Sequence, residues 1–314
     1  QIQGSADDIL RLIDNKADTI ANAYGKADIA GTIGYSNGTA DADIDIAAAG
    51  GTATAKATYD VNASRYDADI ALSEVEINRI MPELPLKKLT MNVTARGEGT
   101  DLFSSHTTYN AHITLDTLLY GETALGNIIL DASQANGLSR IDINGDDSNL
   151  KFSLNAETLL DSAMIKNSTH LDIAKADFGK LNIAQGLSTR MQLALELSTD
   201  MGEVHAIRLK GEEIDITTPQ KRFNPKNIYI NAATTPDSTF IYAQNGDLNI
   251  NGEMSSGYNG LFSSLDKVAR LFMDALQNED MVHYLQDYEK ELPTITLGVQ
   301  CGRDNMLSNL LAMK

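Results

Sequence analysis

A period of two runs through this chain. TADADIDIAA from Thr39, RYDADIAL from Arg65, AHITLDTLL from Ala111, LKFSLNA from Leu150, RMQLALEL from Arg190 and NIYINAA from Asn227 all alternate polar and apolar residues. Side chains leave a pleated strand on alternate sides, so each run predicts a strand with one wet face and one apolar face. In TADADIDI, Asp41, Asp43 and Asp45 fall on one side, and Ala42, Ile44 and Ile46 on the other. A helical period would scatter those aspartates around the element. The functional question is what covers the apolar side.

The strands fall into three similar stretches and a different fourth. The first, 1–72, opens with a predicted helix: Ser5 suits an N-cap, Asp7 and Asp8 suit the positive end of the dipole, and Ile9, Leu12 and Ile13 form an apolar stripe. Four strands follow, separated by SNG, AGG and NAS turn clusters. The second, 73–157, has a short segment near Ile77–Met81 stopped by Pro82 and Pro85. Its strands are expected around Leu89–Ala95, Thr107–Leu119, Leu125–Ala132, Ser139–Asn144 and Leu150–Ala156. The third, 158–256, passes through IAKADFGKLNIAQG before strands at Arg190–Ser198, Val204–Lys210, Glu213–Thr217, Lys226–Ala232 and Thr239–Ile250. A short helix followed by a meander, recurring every ~80 residues, suggests elongated stacking more than a globule.

The fourth stretch, 257–314, reads as a helix from Tyr258. Leu261, Leu265, Val268, Phe272, Ala275 and Leu276 share one face, and Asp266, Lys267, Arg270, Asp274 and Gln277 fill the other. A bend at Asn278 and Glu279 precedes a second piece, Met281–Glu289; Pro293 ends it, and the strand TITLGVQC follows. Such a stripe beside a one-sided sheet reads first as a lid across it. The polar face lacks the Lys/Arg enrichment of a membrane-surface helix.

Composition narrows the function. The 314 residues carry 25 Lys+Arg against 43 Asp+Glu, a formal net charge of -18. No basic stripe exists to displace phosphate counterions, which argues against nucleic acid and against docking on anionic headgroups. With no Trp and 6 % aromatic residues, the apolar surface is aliphatic. The single cysteine, Cys301, excludes an intramolecular disulfide, and on the strand TITLGVQC it is expected to be a small buried hydrophobe. The chain lacks an initiating Met and any apolar run of about 20 residues, so it reads as a piece of a longer protein.

Chemistry is sparse. His106 and His112 could share a strand face, but without ligand-spaced partners His112 reads as part of the wet face with Thr114 and Asp116. Asp41, Asp43 and Asp45 stand about 7 Å apart along a strand, too far to converge on one cation. The loop NGDDSN lacks the bidentate Glu of a calcium loop, Ser153 standing twelfth from Asp142, and reads as a hairpin turn. Gly97 and Gly99 are followed by Leu102 where a dinucleotide loop needs glycine; no nucleophile elbow and no P-loop occur. The chain is therefore expected to be non-enzymatic, with no catalytic residues, metal or cofactor.

The informative residues are the apolar ones: Ile44, Ile46, Ile70, Leu72, Ile113, Leu115, Ile141, Ile143, Phe152, Leu154, Leu193, Leu195, Ile228 and Ile230. They could be the core of a β-sandwich, in which two such sheets cover each other. They could also line an open groove that holds something greasy. Pattern alone favours the sandwich, since large exposed apolar patches are uncommon.

The stretches EINRIMPELPLKKLTMNVTARGEGTD and AHITLDTLLYGETALGNIILDASQANGLSRIDINGDDSNLKFSLNAE resemble the AsmA-like superfamily, closest to the long TamB-type proteins of Bacteroidota. The features that carry it are a short helix ending near a proline, the strand LPLKKLTMNVTARGEG leading to glycine, and a hairpin ending in small polar residues. GLFSSLDKVARLFMDALQNEDMVHYLQDYEKELPTITLGVQCG is similar too. The resemblance implies a mainly β fold: an elongated, curved, antiparallel-rich half-pipe with an apolar inner channel, short helices between repeats and an amphipathic helix near the C-terminus. It implies a periplasmic segment of an inner-membrane-anchored envelope protein, the anchor lying outside this chain. Its partners would be phospholipid acyl chains and, through regions outside the chain, an outer-membrane β-barrel protein. The family's roles are lipid transfer between membranes and outer-membrane protein assembly or secretion. Two rivals stand beside it: a scaffold that templates client strands by β-augmentation, and a β-sandwich surface or glycan-binding module.

Overall fold

A computed structural model of the chain describes residues 2–5, 27–79, 86–161, 163–184, 186–219, 221–278 and 292–311. The fold is mainly β, as the alternation predicts, and forms an open antiparallel sheet with few short helices. The chain divides into two compact units, 1–160 with 171–190 and 217–221, and 161–170 with 191–216 and 222–314.

The first unit is a long meander. Its strands are β1 (Ile2–Ser5), β2 (Ala27–Ser36), β3 (Thr39–Ala48), β4 (Gly51–Asp60), β5 (Arg65–Val75), β6 (Leu86–Glu98), β7 (Thr108–Tyr120), β8 (Thr123–Leu125), β9 (Ile128–Ala135), β10 (Leu138–Asp146) and β11 (Leu150–Leu160). From β2 each strand pairs antiparallel with its successor, except that β8 is a short tab on β7 and β9 pairs with β7 directly. Two hairpins turn on Asn-Gly with both residues at positive φ: Asn37 and Gly38 join β2 to β3, and Asn136 and Gly137 join β9 to β10. That backbone matches the strand twist, so these dipeptides lock the register.

The sequence LDTLL breaks alternation at Thr117, and the strand absorbs the break in a bulge. Met91 pairs with Leu115 and Thr90 with Thr117, which leaves Asp116 unpaired. One extra residue restores Leu118, opposite Leu89, to the side of Leu115.

In the second unit β14 (His205–Thr217) pairs with β16 (Ile228–Thr235), the two-residue strand β15 (Arg222–Phe223) lying between them in sequence, followed by β17 (Ser238–Asn245), β18 (Leu248–Met254) and β19 (Ile295–Gln300). Helix α1 (Tyr258–Asn278) follows β18, and a short helix α2 (Met306–Leu311) follows β19. The start of α1 is pinned: the Tyr258 ring lies 5.5 Å from that of His205, its hydroxyl donates to the Gly202 carbonyl at 3.2 Å, and Asn259 donates to Glu203 at 3.0 Å.

Several expectations change. Val204–Lys210 and Glu213–Thr217 are one strand, β14, and Thr239–Ile250 is the hairpin of β17 and β18. The IAKADFGKLNIAQG segment, where no strand is expected, begins as one: Ile173–Asp177 closes strand β12 (Ile165–Asp177), and turns follow. In β12 the less exposed positions include Asn167 and Thr169, bonded to each other at 2.8 Å, so polar residues occupy slots where the sequence pattern looks for apolar ones. Cys301 is exposed rather than buried; it lies in the coil just past β19, where the pleat no longer directs it to a face. Ser5 ends β1, and the expected helix beyond it lies outside the described residues, as does Met281–Glu289. The segment near Ile77 is a single 3₁₀ turn, Ile77–Arg79.

Candidate functional site: an uncovered apolar sheet face

Directly paired residues in an antiparallel ladder share a face. The registers of the first unit therefore stack the predicted residues into cross-strand rows. One row is Ile44, Ala55, Ile70, Val93, Ile113, Leu130, Ile143 and Leu154. The next is Ile29, Ile46, Ala53, Leu72, Met91, Leu115, Ile128, Gly145 and Phe152. Ile141 heads the third at its β10 end, after Ile33, Ala42, Ala57, Ala68, Ala95, Ala111 and Ala132. All ten predicted positions of this unit thus lie on one face. The Phe152 ring sits over Gly145, where an added Cβ would meet it at 2.3 Å.

The third row was not foreseen. Six alanines in register form a shallow floor between the taller Ile/Leu/Val row and a fourth row that includes Tyr35, Tyr59, Tyr66 and Tyr109. Each alanine looks like filler within its own strand; only the pairing aligns them into a furrow running across the strands. At ~4.8 Å per strand, the nine strands from β2 to β11 that carry the rows span about 38 Å.

Among the described residues this face is not packed as a sandwich core. Among the described residues the only hydrophobic side chains classed as buried are Ala27, Leu160, Ala176 and Ile214, and none of the predicted residues is among them. Ile70, in mid-sheet, is 37 % exposed, and Ile33 and Tyr35 are 52 % and 69 % exposed. Two covering sheets would have driven these values towards zero.

The opposite face carries the charges. Asp43 pairs with Lys56 at 3.4 Å, Arg96 with Asp67 at 3.1 Å and Arg140 with Glu157 at 2.7 Å, all as exposed cross-strand pairs. His112 lies here as expected, its Nδ1 2.6 Å from Asp131. Two hollows, of about 450 and 550 Å³, lie over this polar side; Thr94, Arg96, His112, Asp131 and Asp142 line the first, and Asp28, Asp45 and Thr54 the second. Among the described residues no group of three or more His, Cys, Asp or Glu is placed to hold a metal ion.

In the second unit, Ile230 sits in the row Leu209, Ile230, Ala243, Ile250 and Val299. Ile228 pairs with Gly211, and a Cβ built on that glycine would lie 3.3 Å from Leu193, which puts Leu193 on the same face. Leu195 is half-buried two residues further along β13 (Ser188–Thr199). Of the predicted lid residues Leu261 and Val268 are half-buried, while the side chains of Leu265, Phe272 and Leu276 lie outside the described set. No described helix is long and apolar enough to cross a membrane.

Comparison with known proteins adds no identity: no family model, no curated protein and no solved structure matches the chain.

Proposed function

We propose that this chain is a non-enzymatic segment of a TamB-like envelope protein whose apolar sheet face guides phospholipid acyl chains between two membranes. The observation that carries the reading is the set of aliphatic rows, in register across nine strands and half-exposed along their length. A hydrocarbon chain gains about 0.8 kcal/mol per methylene removed from water. Contacts with Ile, Leu, Val and Ala are non-directional, so a tail can slide along the rows without a fixed anchor. The periplasmic location, and contact with an outer-membrane barrel through other parts of the protein, follow from the resemblance alone.

Photo-crosslinking residues placed singly at Ile113, Leu115 and Phe152, with His112 as the opposite-face control, test the proposal in cells. Phospholipid adducts at the first three and none at His112 are the expected result. Capture of unfolded barrel strands would favour the assembly scaffold instead. Equal labelling of both faces would remove the basis for a lipid path.

A further inference from the structure

The second unit carries a hollow on its apolar face. It measures about 290 Å³ and lies between β16, β17 and β18 and the short helix α2. Ile228, Ile230, Ala243 and Leu248 form its floor; Met306 and Leu307 close one side. Ile230 and Ala243 belong to the aliphatic row described above, so the hollow continues that face and adds a wall to it.

Asn245 is the polar side chain that could give the hollow a hydrogen-bonding preference, and both its amide nitrogen and its oxygen are engaged. Its Nδ2 donates to the carbonyls of Lys226 at 2.7 Å and Asn227 at 3.3 Å, and its Oδ1 accepts from the backbone N–H of Met306. Tyr229 and Gln244 alternate to the other side of their strands; Lys210 stacks 5.9 Å from the Tyr229 ring, and Gln244 accepts from the Tyr242 hydroxyl at 2.9 Å. Lys226, near the rim, is already paired with Asp304 at 3.4 Å. The lining side chains therefore offer a ligand mainly hydrocarbon. The volume lies at the small end of ligand pockets, ~300–1,000 Å³, which suits one tail and not two.

We infer that this hollow is a seat for a single unbranched alkyl chain, selected by tail length and indifferent to headgroup. The inference rests on the lipid-guiding reading and deepens it: the row feeds tails into a walled stop. Contact with α2 would hold one tail where the open rows let it slide.

The test uses the whole chain with two probes. Binding of octanoate, decanoate, dodecanoate and tetradecanoate, and of the matching alcohols, is measured by calorimetry. A dodecanoate bearing a terminal diazirine is then photolysed on the protein and its adducts are mapped to peptides. Affinity is expected to rise about four-fold per methylene until the hollow is full and then level off, acids and alcohols running together. Adducts are expected on the β16–β18 and α2 peptides, lost in Ala243→Phe, which fills the hollow, and kept in Ala95→Phe on the first unit's furrow. Met306→Trp fills the hollow from the side of α2 and decides the matter if Ala243→Phe fails to fold. Adducts confined to the first unit and unaffected by both filling variants would overturn the seat and leave the lipid path standing. Adducts confined to the hollow would support the seat. No adduct anywhere would overturn both, and acids binding far more tightly than alcohols would overturn the indifference to headgroup.

Discussion

Ile70→Asp separates an open face from a packed core. Ile70 lies between Ala55 of β4 and Val93 of β6, and about two thirds of it is covered by its neighbours, since it is 37 % exposed. Full burial of such a side chain is worth ~1.5–3 kcal/mol, so roughly 1–2 kcal/mol is lost. The poor fit of aspartate to a strand adds up to about 1 kcal/mol. The expected destabilisation is therefore about 1–3 kcal/mol, within the ~5–15 kcal/mol reserve of an ordinary domain. Beneath a second layer, the same aspartate would be a buried unpaired charge costing more than about 4–5 kcal/mol. Urea unfolding followed by far-ultraviolet circular dichroism reads the difference as a lowered midpoint with an unchanged slope. The variant is also expected to abolish lipid capture from a crosslinker at Ile113, two strands along the same row. A loss above 5 kcal/mol, or failure to fold, would show that Ile70 is core; undiminished capture would show that lipids do not travel along this row.

Three further outcomes follow from particular residues. Hydrogen bonds from the Asn305 side chain, and then from the Asp304 backbone, hold the Asp247 carboxyl below its ordinary value; its stabilising contribution is complete above the usual carboxylate pKa of ~3.9 and is lost as pH falls below it. Amide exchange at Asp304 and Met306, corrected for intrinsic rates, should therefore accelerate only in acid, and in Asp247→Asn it should already be fast at neutral pH; unchanged protection in both would disprove the clasp. A Cβ on Gly31, whose φ is +155°, would lie 2.1 Å from the Asp43 carbonyl oxygen, so Gly31→Ala should cost well over ~1 kcal/mol in a thermal or urea melt, and a neutral result would count against the β2–β3 register. Arg96→Ala breaks an exposed pair with Asp67 and should change stability by less than about 1 kcal/mol, less still at high salt; a larger loss would mean that the polar side is packed.

Much of the candidate site was legible in the sequence. Period-two runs in TADADIDI and RYDADIAL placed Ile44, Ile46, Ile70 and Leu72 together because strand geometry allows no other sorting. The SNG cluster, with Asn37 and Gly38, marked a hairpin for the same local reason. Strand β12 escaped because Asn167 and Thr169 hold inward positions, and Cys301 was misjudged because strand ends are not local. The break at Thr117 gave no sign of being a bulge, since a bulge is a relation between two strands.

By itself the sequence determined that the chain is mainly β, acidic and one-sided, and which side chains avoid water within each strand, because alternation is a property of one strand's backbone. Only the tertiary structure decided that the described apolar side chains stay partly exposed, that six scattered alanines align as a furrow, and that α2 walls off a hollow beside Ile230. Those outcomes depend on register and on which elements meet, which are set between segments distant in the chain and leave no periodic trace in any one of them.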